Sequence, residues 1–348
     1  MSEKFFGLFD HTETRRGQEP AEWYQGRLEI IEAADRGGFE GLFLAEHHGT
    51  PLGMAPSPAL LLAAAAARTQ RIRLGALVFC LPFYEPLRLA EEICMLDQMS
   101  NGRVDVGVGR GISPFELSHY GVPLYESRGR FEECLAILER ALRDERLDFV
   151  GRFHQYSAVP IELRPVQQPN PPFWFGVTTE DNARWAGRRG MNVAGFSPNG
   201  AMRALAGAYR ESREAHRGGE EDLNPKVEVP RIGAIRHIHV ADTDEEAQAA
   251  ARPAYEVFYA NVTKLWMDFH TVPAFYSPDL DVARKLDMAI VGSPQTVREE
   301  VERYFEESDG NYLIGGFSFG SLTQEQARRS IELYLKEVMP AFASEAAR

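Results

Sequence analysis

The chain has 348 residues, 44% hydrophobic and 26% charged, and its 38 Lys and Arg against 51 Asp and Glu give a formal net charge of −13 at pH 7. That composition excludes disordered and fibrous classes, and the acidic balance disfavours nucleic acid or an anionic membrane as a partner, because like charges repel. Cys80, Cys94 and Cys134 form no CxxC or Cys/His cluster, the amino end MSEKFFGLFDHTE has no signal-peptide core, and the longest apolar run spans only residues 59–67, so no disulfide framework, metal site or membrane span is expected and a cytoplasmic location follows.

Along the chain, short apolar runs alternate with amphipathic stretches. Strands are predicted at 4–9, 39–44, 72–79, 104–108, 172–177, 192–196, 231–240 and 312–317. Each is followed by a predicted helix, at 21–36, 56–68, 86–99, 128–143, 179–189, 201–216, 244–260 and 323–338. Nearly continuous apolar strands suit a parallel sheet covered by helices. Eight strand–helix pairs predict an α/β protein, a single closed (β/α)8 TIM barrel over 1–348, and the alternative is an open Rossmann-like sheet with a second domain. Two stretches break the rhythm: a hairpin-type insertion at about 147–172, and an aromatic-rich one at about 254–288 containing YEVFYANVTKLWMDFHTVPAFY. Insertions between strand and helix fall on the C-terminal rim, where they act as lids; a helix pair packed beneath the barrel is the other reading.

Barrel chemistry sits just past the strand C-termini. The second strand runs into Glu46-His47-His48, and alternation lets at most one of the two histidines face the mouth. An imidazole there serves as general base or donor, or is simply satisfied by backbone groups. The fourth strand ends in Val106-Gly107-Val108-Gly109-Arg110-Gly111; Ile112 occupies the place of the third glycine of a dinucleotide fingerprint, so a nicotinamide reading loses ground. Its glycines allow close backbone approach to a flat ligand, and Arg110 offers a fork for phosphate or is an exposed residue on a tight turn. After the fifth strand, Thr178 or Thr179 caps a helix whose first turn holds Glu180, Asp181 and Asn182. Free amides at that helix start attract phosphate, provided the two acids turn away.

Taken together, GLFLAEHHGT, LGALVFCLPFYEPLRLAEEICMLDQMSNGRVDVGVGRG and WAGRRG resemble the bacterial luciferase-like flavin-dependent monooxygenases, closely over 4–195 and more loosely beyond, where VGSPQTV and the last strand–helix pair suit the family's carboxyl end. The resemblance implies FMN at the C-terminal mouth of the barrel, its phosphate held by Arg110, Thr179, Asn182 and an amide near Thr178. His47 matches the family's catalytic histidine beside the reacting edge of the flavin, with Glu46 as its supporting partner. Leu77-Val78 matches a non-proline cis peptide bearing on the isoalloxazine, and Glu116 an acidic residue near the flavin. Gly109 stands where luciferase has a reactive cysteine, so thiol chemistry at that spot and luminescence are not expected. The implied activity is an FMN-dependent two-component monooxygenase that takes reduced FMN (FMNH2) from a separate flavin reductase and uses O2 to oxidise a small organic substrate, aldehyde-like or otherwise apolar. A deazaflavin-dependent oxidoreductase and a non-catalytic flavin-binding accessory subunit are the alternatives. A homodimer is expected through the alanine-rich helix at 60–67 and the helix at 86–99, where small residues allow close approach.

Overall fold

The computed structural model describes residues 3–271 and 277–342. The strands are β1 (Phe5–Asp10), β2 (Gly41–Leu44), β3 (Arg73–Cys80), β4 (Val104–Gly109), β5 (Arg146–Val150), β6 (Gln155–Pro160), β7 (Phe173–Gly176), β8 (Asn192–Gly195), β9 (Ile232–Val240), β10 (Ala289–Gly292) and β11 (Tyr312–Gly316). The helices are α1 (Pro20–Gly37), α2 (Pro58–Arg68), α3 (Pro86–Met99), α4 (Pro114–His119), α5 (Ser127–Arg143), α6 (Glu180–Arg188), α7 (Asn199–His216), α8 (Asp244–Val262), α9 (Lys264–Asp268), α10 (Leu280–Lys285), α11 (Pro294–Ser308) and α12 (Gln324–Leu333).

Eight strands, β1, β2, β3, β4, β7, β8, β9 and β11, pair in parallel in that order, and β11 pairs back onto β1 from Phe5↔Tyr312 to Phe9↔Gly316. The ring is closed, so the open Rossmann-like alternative is overturned. Alternation sorts the side chains. Phe9, Phe43, Ala45, Leu77, Trp174, Ala194, Ile235, Tyr312 and Ile314 fill the inside of the cylinder, while Leu8, Leu42, Leu44, Leu74 and Val106 join the shell shared with the helices. Both layers are needed because strands wet on neither face must be apolar on both.

β10 is a strand the sequence reading did not anticipate. The Arg231 carbonyl accepts from the Val193 N–H, and the N–H groups of His237 and Ala241 donate to Met288 and Gly292, so β8 and β10 share one edge of β9, β8 at its start and β10 at its end. Four residues are too few for a periodic signal to stand out.

The expected hairpin is present as the antiparallel pair β5–β6. It enters between helix α5 and strand β7 rather than between strand and helix, and folds back along α5 to the start of α3: backbone N–H groups of Arg152, Phe153 and His154 donate to Glu133 of α5, and the Tyr156 hydroxyl donates to Glu85, which precedes α3. The aromatic stretch does reach the rim. Phe269 stacks on Phe115 of α4 with centroids 4.5 Å apart, and Trp266 meets the same ring edge-on at 5.8 Å. Residues 272–276 of that stretch lie outside the described residues. Among the described residues no helix is long and apolar enough to cross a membrane, and Cys80, Cys94 and Cys134 are free and buried.

Candidate active site

The mouth is built first from β2. Phe43 and Ala45 point into the cylinder, so His47 continues the inward series while Glu46 and His48 take the other side. Opposite them, Ser113 caps α4 by accepting from the Glu116 N–H at 3.3 Å, with Pro114 opening the helix. That short helix presents Glu116 to β2. Its Oε1 accepts from His47 Nδ1 at 3.1 Å and from the His48 N–H at 2.9 Å. With Nδ1 donating, His47 Nε2 is left as the acceptor and has no partner among the described residues. Burial works to raise the Glu116 carboxyl, but the bond and charge of His47 and the His48 N–H outweigh it, and the net shift is downward, keeping the group ionised.

Glu46, expected to support His47, does something else. Its Oε1 accepts from His48 Nε2 at 2.9 Å; its Oε2 accepts from the Cys80 N–H and the Tyr84 hydroxyl, each at 2.9 Å. The far nitrogen of His48, Nδ1, lies 2.8 Å from the Tyr120 hydroxyl. Glu46 therefore ties the end of β3 to the back of the EHH turn, and the partner of His47 is Glu116. Burial raises the Glu46 carboxyl in spite of these donors.

The Leu77–Val78 peptide is cis, and the β3–β4 register shifts between Ala76 and Phe79. The glycines of β4 make room for this. A Cβ on Gly107 would lie 2.1 Å from the Ala76 carbonyl oxygen, and one on Gly109 would lie 2.4 Å from Val78 Cγ2. The close approach these glycines allow is, in the structure, that of the neighbouring strand β3.

Arg110 and Thr179 leave the same rim, because β4 and β7 are adjacent and parallel with Val108 opposite Phe175. Arg110 is exposed, makes no ion pair among the described residues, and reaches only the Ser127 hydroxyl, at 3.4 Å. Thr178 and Asn182, which flank Thr179 in sequence, are exposed, and Thr179 caps α6 by accepting from the Asn182 N–H at 3.3 Å. Glu180 is drawn along the helix to Arg184 at 3.4 Å. A free guanidinium, hydroxyls and a helix start on one rim, with one nearby acid turned aside, suit a phosphate.

A family model described as luciferase-like monooxygenase matches residues 5–309. The chain belongs to the luciferase-like monooxygenase family. It is 29% identical to the flavin-dependent trigonelline monooxygenase, oxygenase component, of Acinetobacter baylyi, over 97% of this chain and 95% of that protein. Monooxygenase RslO1 from Streptomyces bottropensis superposes with a TM-score of 0.86 at 27% identity, covering 97% of this chain and 100% of that one. The oxygenating constituent of 3,6-diketocamphane monooxygenase from Pseudomonas putida, solved in complex with FMN, shares the fold with a TM-score of 0.81 at 23% identity, over 99% and 100%. The enzyme class expected from the sequence, a flavin-dependent monooxygenase, is that of the relatives the chain matches.

This luciferase-like mouth also holds residues that the sequence reading passed over. Inward-facing His11, just past β1, and His237, on β9, stack across β11 with centroids 5.2 Å apart. The register runs Phe9↔Gly316↔His237, and the inward position on β11 between them is a glycine, so no side chain separates the two rings. A lone histidine in an apolar run gives no signal of this, since the pairing depends on a third strand. Next to them, buried Glu13 accepts from the Gly320 N–H and from Asn261 Nδ2 at 2.7 Å, tying β1 to α8 and to the loop after β11. Burial drives its carboxyl up to about 7, against those bonds and the Arg27 charge. Ser127, the partner of Arg110, was missed because its role depends on where α5 begins.

Proposed function

We propose that this chain is the oxygenase component of an FMN-dependent two-component monooxygenase, receiving reduced FMN from a separate flavin reductase and using O2 to oxidise a small apolar organic substrate. The observation that carries this reading is His47, fixed through Nδ1 by Glu116 with Nε2 left to accept, on the same rim as the unpaired Arg110 guanidinium. The relative from Acinetobacter baylyi is named an oxygenase component and the diketocamphane enzyme holds FMN, which supports the choice of cofactor.

In this reading Arg110, Ser127, Thr179 and Asn182, with an amide near Thr178, hold the phosphate, and the Leu77–Val78 backbone bears on the ring. Bound reduced flavin supplies the electrons that activate O2. The protein's own residues bind, orient and keep the site dry. His47 Nε2 takes up and returns a proton at the reacting edge, and Glu116 holds the ring in the tautomer that makes this possible. Glu46 keeps the end of β3 and the His48 turn in place behind them. The aromatic rim of Phe115, Trp266 and Phe269 excludes water, which otherwise diverts the reaction to hydrogen peroxide. The exposed apolar side chains Leu60 on α2 and Met95 and Met99 on α3 suit a homodimer through those helices.

The test is His47→Ala. It is expected to keep reduced FMN while product yield falls and hydrogen peroxide rises; unchanged coupling removes His47 from the reaction. Fluorescence quenching by FMN against the deazaflavin decides the coenzyme. Peroxide as the only product across a broad substrate panel would favour the accessory-subunit alternative.

A further inference from the structure

His11 and His237 take no part in holding the flavin as proposed above. Both are buried, His11 at 9% and His237 at 1% exposure, yet Nδ1 and Nε2 of each ring have no hydrogen-bond partner. A buried polar atom left unsatisfied is costly, because it has given up its bonds to water, and native structures hold very few. Four such atoms in two touching rings mark a place where something else bonds.

We infer that His11 and His237 form a hydrogen-bonding seat for an uncharged carbonyl or hydroxyl oxygen on a planar, largely apolar substrate, held beside His47. The surroundings supply the shape. His11 meets Phe9 edge-on at 4.8 Å and Phe258 at 5.0 Å, and His237 packs on Phe258 at 4.3 Å and Phe319 at 5.0 Å. Flat, apolar walls with a few convergent polar atoms recognise flat molecules that carry one polar group. The place in the fold supplies the position: β1 and β2 are neighbours, and His11 lies close enough to His47 for a proton on one ring to disfavour a proton on the other.

The charge state supplies the selectivity. Among the described residues no carboxylate is within ion-pair reach of either ring. Burial, and for His11 the neighbouring imidazoles, push both far below the ordinary histidine range, His237 to about 3. Neutral imidazoles each offer one donor and one acceptor. They serve a carbonyl or a hydroxyl, and give no counter-charge to a carboxylate or sulfonate, whose burial unpaired is costly.

The inference rests on the monooxygenase reading for there being a substrate, but its test needs no turnover. The full chain, with its histidine ring nitrogens labelled with 15N, is titrated with acetophenone, with its near-isostere α-methylstyrene, and with benzoate; FMN titrations run on the same samples. Acetophenone is expected to bind at least tenfold more tightly than either other probe and to move the His11 and His237 nitrogen signals. His237→Phe, which keeps a ring but no nitrogen, is expected to abolish that preference with FMN affinity unchanged, and His11→Phe to do the same. Equal binding of acetophenone and α-methylstyrene, tightest binding of benzoate, or a preference that survives both substitutions overturns the seat. If a substituted chain fails to fold, the nitrogen signals of the unsubstituted one decide alone. In the unsubstituted chain, FMN binding without the probe preference defeats only the seat; the preference without FMN binding defeats only the flavin reading.

Discussion

His47 Nδ1 and Glu116 Oε1 meet at 3.1 Å across 69 positions of sequence, one side chain past the end of β2 and the other on the first turns of α4. Everything assigned to the imidazole depends on that carboxylate, since without it neither the tautomer nor the ring plane is fixed. Glu116→Gln is expected to lower coupled turnover about ten- to hundredfold, a part of what general acid–base assistance contributes, while FMN affinity changes little. Oxygen consumed per product formed is the measurement. Unaltered coupling would leave Glu116 only a structural acceptor for the His48 N–H.

The same pair has a signature in pH. The Glu116 carboxyl is depressed in the folded chain relative to its ordinary 4.5. Its stabilisation is therefore fully present above pH 4.5 and fades as pH falls through the folded value. In His47→Ala the imidazole no longer offsets burial, so the Glu116 carboxyl should titrate higher than in the parent chain. Carbon NMR of the labelled carboxylate reads this directly, and an unmoved titration contradicts the pairing.

Arg110→Ala is expected to weaken FMN by roughly ten- to a hundredfold, the size of a charge-assisted hydrogen bond of about 1.5–3 kcal/mol. Riboflavin, which has no phosphate, should bind as before. Ser127→Ala should follow in the same direction with a smaller effect. Equal weakening of FMN and riboflavin would remove the phosphate from this rim.

Glu13 acts with the opposite sign to Glu116. Its carboxyl rises from 4.5 to about 7 on folding, so the folded chain binds the proton more tightly and stability is lost as pH rises between those values. The full cost above pH 7 is on the order of 3 kcal/mol. Glu13→Gln is expected to flatten stability between pH 5 and 8, as read by urea unfolding at each pH. A parent and variant that lose stability in parallel would refute the assignment.

Gly107→Ala puts a Cβ 2.1 Å from the Ala76 backbone oxygen, whereas Gly109→Ala meets only the Val78 side chain. Backbone cannot step aside and a side chain can, so the first substitution is expected to cost about 3 kcal/mol or more and the second less. Melting temperatures of the two variants compare them. Equal stability would mean that β3 shifts freely there.

The barrel was legible because its strands are apolar on both faces and each is followed by a helix of ordinary length, which left few ways to close the chain. The family motifs carried the Leu77–Val78 cis bond and pointed to His47, Arg110 and Glu116 as residues of one mouth. They did not carry the wiring. Whether Glu46 or Glu116 holds His47 is decided by where α4 turns, and α4 has six residues with no periodic signature. The meeting of His11 and His237 was hidden for another reason: it needs Gly316 on a strand nearly 80 residues beyond His237, and a glycine in an apolar run looks like any other.

The most direct measurement of the central claim is a crystal of this chain soaked with FMN. The account predicts the phosphate between Arg110, Ser127 and Thr179, the ring against Leu77–Val78, and His47 Nε2 at its reacting edge. Density placing the phosphate away from Arg110, or the ring out of reach of His47, would contradict it.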